Sequence, residues 1–243
     1  MVPMYSMYAK YYDRLNRDYD RWLRFIDEQI TGFPASSRMI EYGCGTGNIL
    51  AAYADRFKVT GVDISPSMLD LAKRKIPEGT FHLEDMVQFA SDEKFDVALC
   101  LFDSVNHILP FRDWGVFFAN VARSLRPGGV FILDANTTKR LAAIEKRPAF
   151  FEEFDGNYFY MKLRRRGEKN FIFDVRILRK TAGDAYVEER EEVEETTEAG
   201  GAILASLKER FGYVVPYNER KEVISKDSYG DDESFRWFFV CRN

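Results

Sequence analysis

The chain has 243 residues, 46% of them hydrophobic, and a formal charge of -4. That is enough apolar content for one α/β core with an insertion, and the acidic balance gives no global attraction to nucleic acid. Cys44, Cys100 and Cys241 lie far apart without C-x-x-C spacing, so they indicate neither a zinc site nor a disulfide framework but free thiols in a reducing compartment.

The opening Met-Val-Pro-Met-Tyr-Ser-Met has no basic-then-apolar signal, and no apolar run approaches the roughly 20 residues of a membrane span, so a cytoplasmic chain is expected. Residues 4 to 31 carry Tyr5, Tyr8, Tyr11, Tyr12, Tyr19 and Trp22, with Leu15, Leu23, Phe25, Ile26 and Ile30 at helix-like spacing. One or two helices preceding a sheet are predicted there, lying across a ligand mouth.

Met39-Ile-Glu-Tyr-Gly43-Cys-Gly45-Thr-Gly47-Asn48 reads as a buried strand running into a tight loop, with Asn48 as the N-cap of the helix that follows. A side chain at Gly43, Gly45 or Gly47 would hold the backbone away from a ligand. Val59-Thr-Gly-Val-Asp63 is the next strand, and a carboxylate at its end can accept both hydroxyls of a ribose. A nucleoside ligand follows. Counted from Gly43, the last position of a dinucleotide G-x-G-x-x-G is Asn48, so that fingerprint fails. Glu41 would oppose a pyrophosphate but suits a ligand with cationic groups. S-adenosylmethionine, with an ammonium, a sulfonium and no phosphate, fits better than NAD.

Ile64-Ser-Pro-Ser-Met68 leads into an amphipathic helix with Ser65 or Ser67 as its cap, and Thr80-Phe-His-Leu is a short strand that delivers Glu84-Asp85-Met86 to the same sheet edge. The nearly unbroken apolar run from Lys94 to Phe102 is a central parallel strand, and Asp103, Ser104, Asn106 and His107 emerge at its end. A helix over about Arg112 to Leu125, an Arg126-Pro-Gly-Gly turn and a fifth strand from Val130 to Asn136 follow. Three antiparallel strands are then expected, near Asn157 to Arg164, Asn170 to Leu178 and Tyr186 to Glu194. A last helix at about Gly201 to Phe211 precedes two closing strands, Tyr213-Val-Val-Pro and Ser234-Phe-Arg-Trp-Phe-Phe-Val-Cys, suited to an antiparallel pair.

Glu41-x-Gly43-Cys-Gly45-Thr-Gly47, Gly61-Val-Asp63-Ile-Ser65, Glu84-Asp85-Met86, Phe95-Asp-Val and Leu125-Arg-Pro-Gly-Gly129 resemble the ordered motifs of class I S-adenosylmethionine-dependent methyltransferases, over roughly the first 140 residues. Tyr8-Ala-x-x-Tyr12-Asp-Arg-Leu and Phe102-Asp-Ser-Val-Asn-His107 are similar to a YqeM-like subgroup. The resemblance implies a Rossmann-like seven-stranded sheet, mostly parallel with an antiparallel last strand. It also implies that residues 1–147 and 199–243 form the cofactor domain, while residues 148–198 form an inserted antiparallel β substrate lid.

The expected cofactor contacts are Glu41 near the methionine amino group and Gly43, Cys44, Gly45 and Gly47 against its carboxylate and backbone. Asp63 takes the ribose and Asp85 with the Met86 N–H takes adenine, a donor and acceptor pairing that selects that base. Ile64 and Met68 offer an apolar wall, and Leu101 and Phe102 lie beneath the cofactor. Met68 reads equally as core. No Asn/Asp-Pro-Pro-Tyr follows the fourth strand, which argues against a base amine as acceptor.

Tyr12, Asp103 and His107 are the candidate catalytic residues, with His107 a base for work near neutral pH. Tyr12 reads equally as packing and His107 as a helix cap, while Asn136 is either a substrate contact or a cap. Arg164, Arg165, Arg166 and Lys169 face the acidic stretch Glu188 to Glu195, as solvated hairpin faces that pair with each other. A small-molecule acceptor is the leading reading, with no metal, no membrane and no nucleic-acid partner. An RNA- or protein-modifying enzyme and a non-catalytic S-adenosylmethionine-binding protein stand as alternatives, and a homodimer is compatible with the sequence.

Overall fold

Alternation along the strands decides the architecture. In the computed structural model, which describes residues 9–15, 19–183, 185–224 and 234–243, odd and even residues of each central strand feed two different cores. Ile40, Ala98, Cys100, Phe131 and Leu133 point to one side, and Met39, Val97, Leu99, Val130 and Ile132 to the other. A sheet apolar on both faces must be covered on both.

The strands are β1 (Arg38–Tyr42), β2 (Lys58–Asp63), β3 (Thr80–Leu83), β4 (Phe95–Cys100), β5 (Leu125–Asn136), β10 (Tyr213–Tyr217) and β11 (Arg236–Arg242). They pair in the order β10-β11-β5-β4-β1-β2-β3, with β1 to β5 parallel and β11 antiparallel to both neighbours. This is the seven-stranded Rossmann-like sheet expected. β5 starts earlier than the sequence suggests, so Arg126-Pro-Gly-Gly lies within its first residues, and the pairing shifts register between Phe95 and Val97.

Helices α2 (Asp20–Ile30), α3 (Asn48–Tyr53) and α4 (Pro66–Lys75) cover one face through Phe25, Ile26, Leu50 and Leu69. α5 (Arg112–Ser124) and α7 (Gly200–Lys208) cover the other through Trp114, Phe117, Phe118 and Leu207. Ser65 caps α4 by accepting from the Met68 N–H at 3.4 Å, and Pro66 follows at the first helical position. Asn48 is not a cap: Gly47, at φ 75°, takes that place, and the Asn48 amide instead donates to Asp13 at 2.7 Å and to the Tyr19 hydroxyl at 2.6 Å. It thereby ties α1 (Ala9–Leu15) to the glycine loop. Tyr5 and Tyr8 lie outside the described residues.

The insertion holds one helix and one strand more than the sequence suggested. α6 (Thr138–Glu145), capped by Thr137, packs Leu141 against Leu163 and Phe171, and so connects β5 to a separate sheet. That sheet is a meander of β6 (Phe150–Phe154), β7 (Asn157–Arg166), β8 (Asn170–Lys180) and β9 (Tyr186–Thr196). β6 gave no alternation signal because nearly all of it is exposed. The basic and acidic stretches pair as expected, Arg164 with Glu192 at 2.9 Å and Arg166 with Glu194 at 3.2 Å. Lys169 reaches Glu198 at 2.6 Å, and Arg165 turns away to Glu145 at 3.5 Å.

Candidate functional site

The strand order reverses beside β1, which has β2 on one side and β4 on the other, and clefts form beyond strand ends at such a point. The loop after β1 enters with Gly43 at φ +69°, where a Cβ would fall 2.6 Å from the Ser104 hydroxyl oxygen. At Gly45, φ +52°, a Cβ would meet nothing within 4 Å, so the loop's backbone borders open space. The Asp63 carboxylate braces this loop by accepting from the Gly45 and Ser65 N–H groups, both at 2.8 Å. Burial raises its pKa, and those two bonds restrain the rise.

Glu41 is 3% exposed, and its Oε2 has no hydrogen-bond partner among the described residues. Burial, and after it the nearby Asp63, pushes this carboxyl well above its ordinary range. A buried acceptor without a donor is costly unless a ligand supplies one. Glu41, Cys44 and Leu101 line a small recess that shares Gly43, Gly45 and Phe102 with a larger cavity of about 310 Å³.

That cavity collects Asp63, Ile64, Met68, Asp85, Met86 and His107. Met68 is nevertheless 2% exposed, so it serves the core as well. Asp85 Oδ1 accepts from the Val87 N–H at 2.8 Å, which fixes the turn that carries Met86. Gly47 does not line these spaces; it starts α3.

Tyr12 and Phe102 belong to both this cavity and a second one of about 490 Å³, so they form the partition between them. Phe102 and Asp103 hold φ values of +55° and +57°, a conformation that costs a non-glycine residue about 1–3 kcal/mol and concentrates at functional sites. Trp22 packs on Phe102 with ring centres 4.3 Å apart. The inserted sheet roofs the second cavity with Met161, Phe173, Val175 and Val193, opposite Phe238 of β11.

Beneath that roof lies a buried charge network. Arg236 Nη2 donates to Asp103 at 2.7 Å, and Nη1 donates to Asp134. Burial alone would raise the Asp103 pKa, but Arg236 together with His107 and Arg140 outweighs it and the net shift is downward. Asp134, fully buried, goes the other way, to about 6, because burial there outweighs Arg236. Glu195 at the end of β9 accepts from Asn136 Nδ2 at 2.9 Å and is pushed up by burial and by the Asp103 charge.

Asp103, His107 and Glu195 present ligand-type atoms within 4.8 Å of one another. Asp103 is at the same time paired with Arg236. His107 Nδ1 lies 3.0 Å from the Glu194 carbonyl; a carbonyl only accepts, so Nδ1 carries the hydrogen and Nε2 is the basic atom. Asn106 does not face the site. It is fully buried and donates to the Asn136 and Thr196 carbonyls at 3.2 and 2.7 Å, while its own oxygen accepts from the Asn136 N–H. Asn136 is no cap, since Thr137 caps α6.

Sequence reasoning missed Glu195, Arg236, Arg140 and Lys221, all of which line the second cavity. Glu195, Arg140 and Lys221 are charged residues in segments that read as solvated. Only the isolated Arg in the apolar run Phe235-Arg236-Trp-Phe-Phe was a usable signal.

A family model described as "Methyltransferase domain" matches residues 39–129, the part that holds the glycine loop and the first four strands of the sheet. "Putative methyltransferase YqeM" of Bacillus subtilis (strain 168) is 28% identical over 180 residues, 71% of this chain and 72% of that protein. "Phosphatidylethanolamine N-methyltransferase" of Cereibacter sphaeroides is 30% identical over 162 residues, 58% of this chain and 78% of that protein. The chain belongs to the S-adenosylmethionine-dependent methyltransferases.

Among solved structures, an S-adenosylmethionine-dependent methyltransferase from Clostridium acetobutylicum ATCC 824 superposes with a TM-score of 0.79 at 24% identity, covering 98% of both chains. The inserted sheet is thus part of the shared fold. A dTDP-3-amino-3,4,6-trideoxy-alpha-D-glucopyranose N,N-dimethyltransferase of Streptomyces venezuelae is 32% identical over 42% of this chain and 43% of its own. The cofactor of this methyltransferase is S-adenosylmethionine, and the site fits it on two counts. The unpartnered Glu41 oxygen can accept from an ammonium, and the space over Gly45 admits a ligand against bare backbone.

Proposed function

We propose that the chain methylates an amine nitrogen of a small-molecule acceptor bound in the 490 Å³ cavity. The observation that carries this reading is the partition: two cavities meet at Tyr12 and Phe102, one bordered by the glycine loop and the other roofed by an inserted sheet. A roofed cavity of this volume suits a small molecule better than a polymer. The names of the Streptomyces venezuelae and Cereibacter sphaeroides relatives support a nitrogen acceptor. Residues 148–198 are then the substrate lid, and residues 1–147 with 199–243 the cofactor domain.

When bound, S-adenosylmethionine supplies an activated methyl on a sulfonium with its leaving group already built in. The chain's residues position and shield. Glu41 would hold the methionine ammonium, Gly43 to Gly45 the carboxylate and backbone of that moiety, Asp63 the ribose, and Asp85 with the Met86 N–H the adenine. Phe102 and Tyr12 form the partition across which the two reactants are aligned, and the lid excludes water. An amine acceptor arrives protonated near neutral pH and must lose one proton before its lone pair can attack. His107 Nε2 takes that proton, and the Glu194 carbonyl holds the ring in the required tautomer.

The test is incubation with isotopically labelled S-adenosylmethionine and fractionated cell extract, followed by mass spectrometry of whatever gains the label. A labelled metabolite with N-bound methyl is expected. Label in RNA or protein, or cofactor binding without any S-adenosylhomocysteine formed, would replace this reading.

A further inference from the structure

Two cations in the second cavity are incompletely matched, with carboxylates near but not bonded to them among the described residues. Arg140, in the first turn of α6, has its Nε buried without a hydrogen-bond partner, and so does the Lys221 Nζ. Neither forms an ion pair among the described residues. Lys221 instead sits over aromatic rings, 4.4 Å from the centre of Trp22 and 4.6 Å from that of Phe25.

The carboxylates of the cavity are committed elsewhere. Asp103 and Asp134 share Arg236, and Glu195 accepts from Asn136. Glu219 accepts from the Ser234 hydroxyl at 2.5 Å and the Phe235 N–H at 3.2 Å. Leaving buried donors and charges unmatched is expensive, and protein sites carry such groups where a ligand completes them.

The cofactor cavity has the opposite lining: Asp63, Glu84, Asp85 and Asp113, with no Arg or Lys among the described residues. The anion that Arg140 and Lys221 await therefore belongs to the other reactant.

We propose that the methyl acceptor carries an oxyanion, a carboxylate or a phosphate, and that Arg140 and Lys221 bind it inside the lidded cavity. This rests on reading that cavity as the acceptor site. Burial lowers the pKa of both groups, that of Lys221 to about 7, with Asp134 raising it and Arg236 and Arg21 lowering it. A bound anion reverses that cost. Guanidinium supplies planar N–H donors and ammonium a point charge, a pairing suited to an oxygen-rich group.

The experiment titrates the S-adenosylhomocysteine-loaded protein with pyrophosphate and with succinate, using glycerol as the neutral control. Fluorescence reports binding through Trp22, which lines the cavity. Saturable binding of at least one anion is expected, weakened tenfold or more in Arg140→Gln and in Lys221→Gln and restored toward wild type in Arg140→Lys. Preference for pyrophosphate assigns a phosphate, and preference for succinate a carboxylate. The idea is overturned if neither anion binds the wild-type protein more tightly than glycerol, or if both Gln variants bind the anion as wild type does. A parallel S-adenosylhomocysteine titration reports on the cofactor site alone, so a failure there is distinguishable.

Discussion

Arg236 reaches from the antiparallel strand β11 to Asp103 at the end of β4, with Nη2 2.7 Å from Oδ1, and so joins the strand that closes the sheet to the residue beside the partition. The same guanidinium also serves Asp134, and it is 8% exposed. Removing it leaves the buried Asp134 and the partly buried Asp103 without their cation, a loss of about 3–5 kcal/mol by the usual cost of breaking a buried pair. Arg236→Met should therefore lower the urea midpoint strongly at pH 7. It should lose less at pH 5, where more of Asp134, already raised to about 6, is protonated. Equal losses at both pH values would contradict this role.

Glu41 should trade stability for cofactor binding. Its folded pKa lies well above the ordinary 4.5, so the fold prefers the neutral carboxyl. Its contribution to stability is whole below about pH 4.5 and is lost as pH rises through the raised value. Glu41→Gln removes that loss. Without cofactor, the variant should melt about 2–4 °C higher than wild type at pH 7, the shift given by about 1 kcal/mol in a chain of this size, and show little gain at pH 4.5. Its S-adenosylmethionine affinity, measured by calorimetry, should fall by about 1.5–3 kcal/mol for a lost charge-assisted bond.

The cavity beside the glycine loop was legible in the sequence because its residues lie in short local motifs. Gly43 and Gly45 are needed for a main-chain conformation, Asp63 sits at a strand end set by alternation, and Glu41 is two residues before the loop. The second cavity was not legible. Glu195, Arg236, Arg140 and Lys221 come from β9, β11, α6 and a loop, and only the folded lid brings them to one cavity. Asn48 has the right residue type for a cap, yet Gly47 at positive φ takes the turn and frees its amide for Asp13. The strand β6 escaped notice because an exposed edge strand has no buried face to impose alternation.

Asp63 braces the glycine loop, and its proposed ribose contact can be tested apart from that. Its oxygens already accept from Gly45 and Ser65, and their remaining lone pairs are open to a ribose. Asp63→Ala should weaken S-adenosylmethionine by about 1–3 kcal/mol, the scale of lost buried hydrogen bonds. Adenine and methionine, titrated separately, should be less affected than the intact cofactor. Unchanged affinity of the intact cofactor in calorimetry would remove the ribose assignment.

Asn106 staples the four-stranded sheet to the seven-stranded one. Its amide bonds to Asn136 on β5 and Thr196 on β9, and all three groups are buried. Asn106→Ala leaves the Thr196 carbonyl and the Asn136 N–H without partners, at about 1–3 kcal/mol each. Hydrogen exchange should accelerate first in β8 and β9 while β1 and β2 stay protected. Uniform acceleration across both sheets would mean that the lid and the core unfold as one unit.

His107 and Glu195 compete for the role of proton acceptor, and their surroundings separate them. Glu195 is buried, and burial together with the Asp103 charge pushes its carboxyl well above its ordinary range, toward the neutral form. His107 borders the cofactor cavity with Nε2 as its basic atom. Once an acceptor amine is in hand, His107→Gln should lower kcat by about 10²–10⁴, the range for a lost general base. Glu195→Gln, which keeps a neutral side chain able to bond Asn136, should change kcat far less. If Glu195→Gln instead costs kcat as much and His107→Gln does not, the proton passes to the carboxyl of β9.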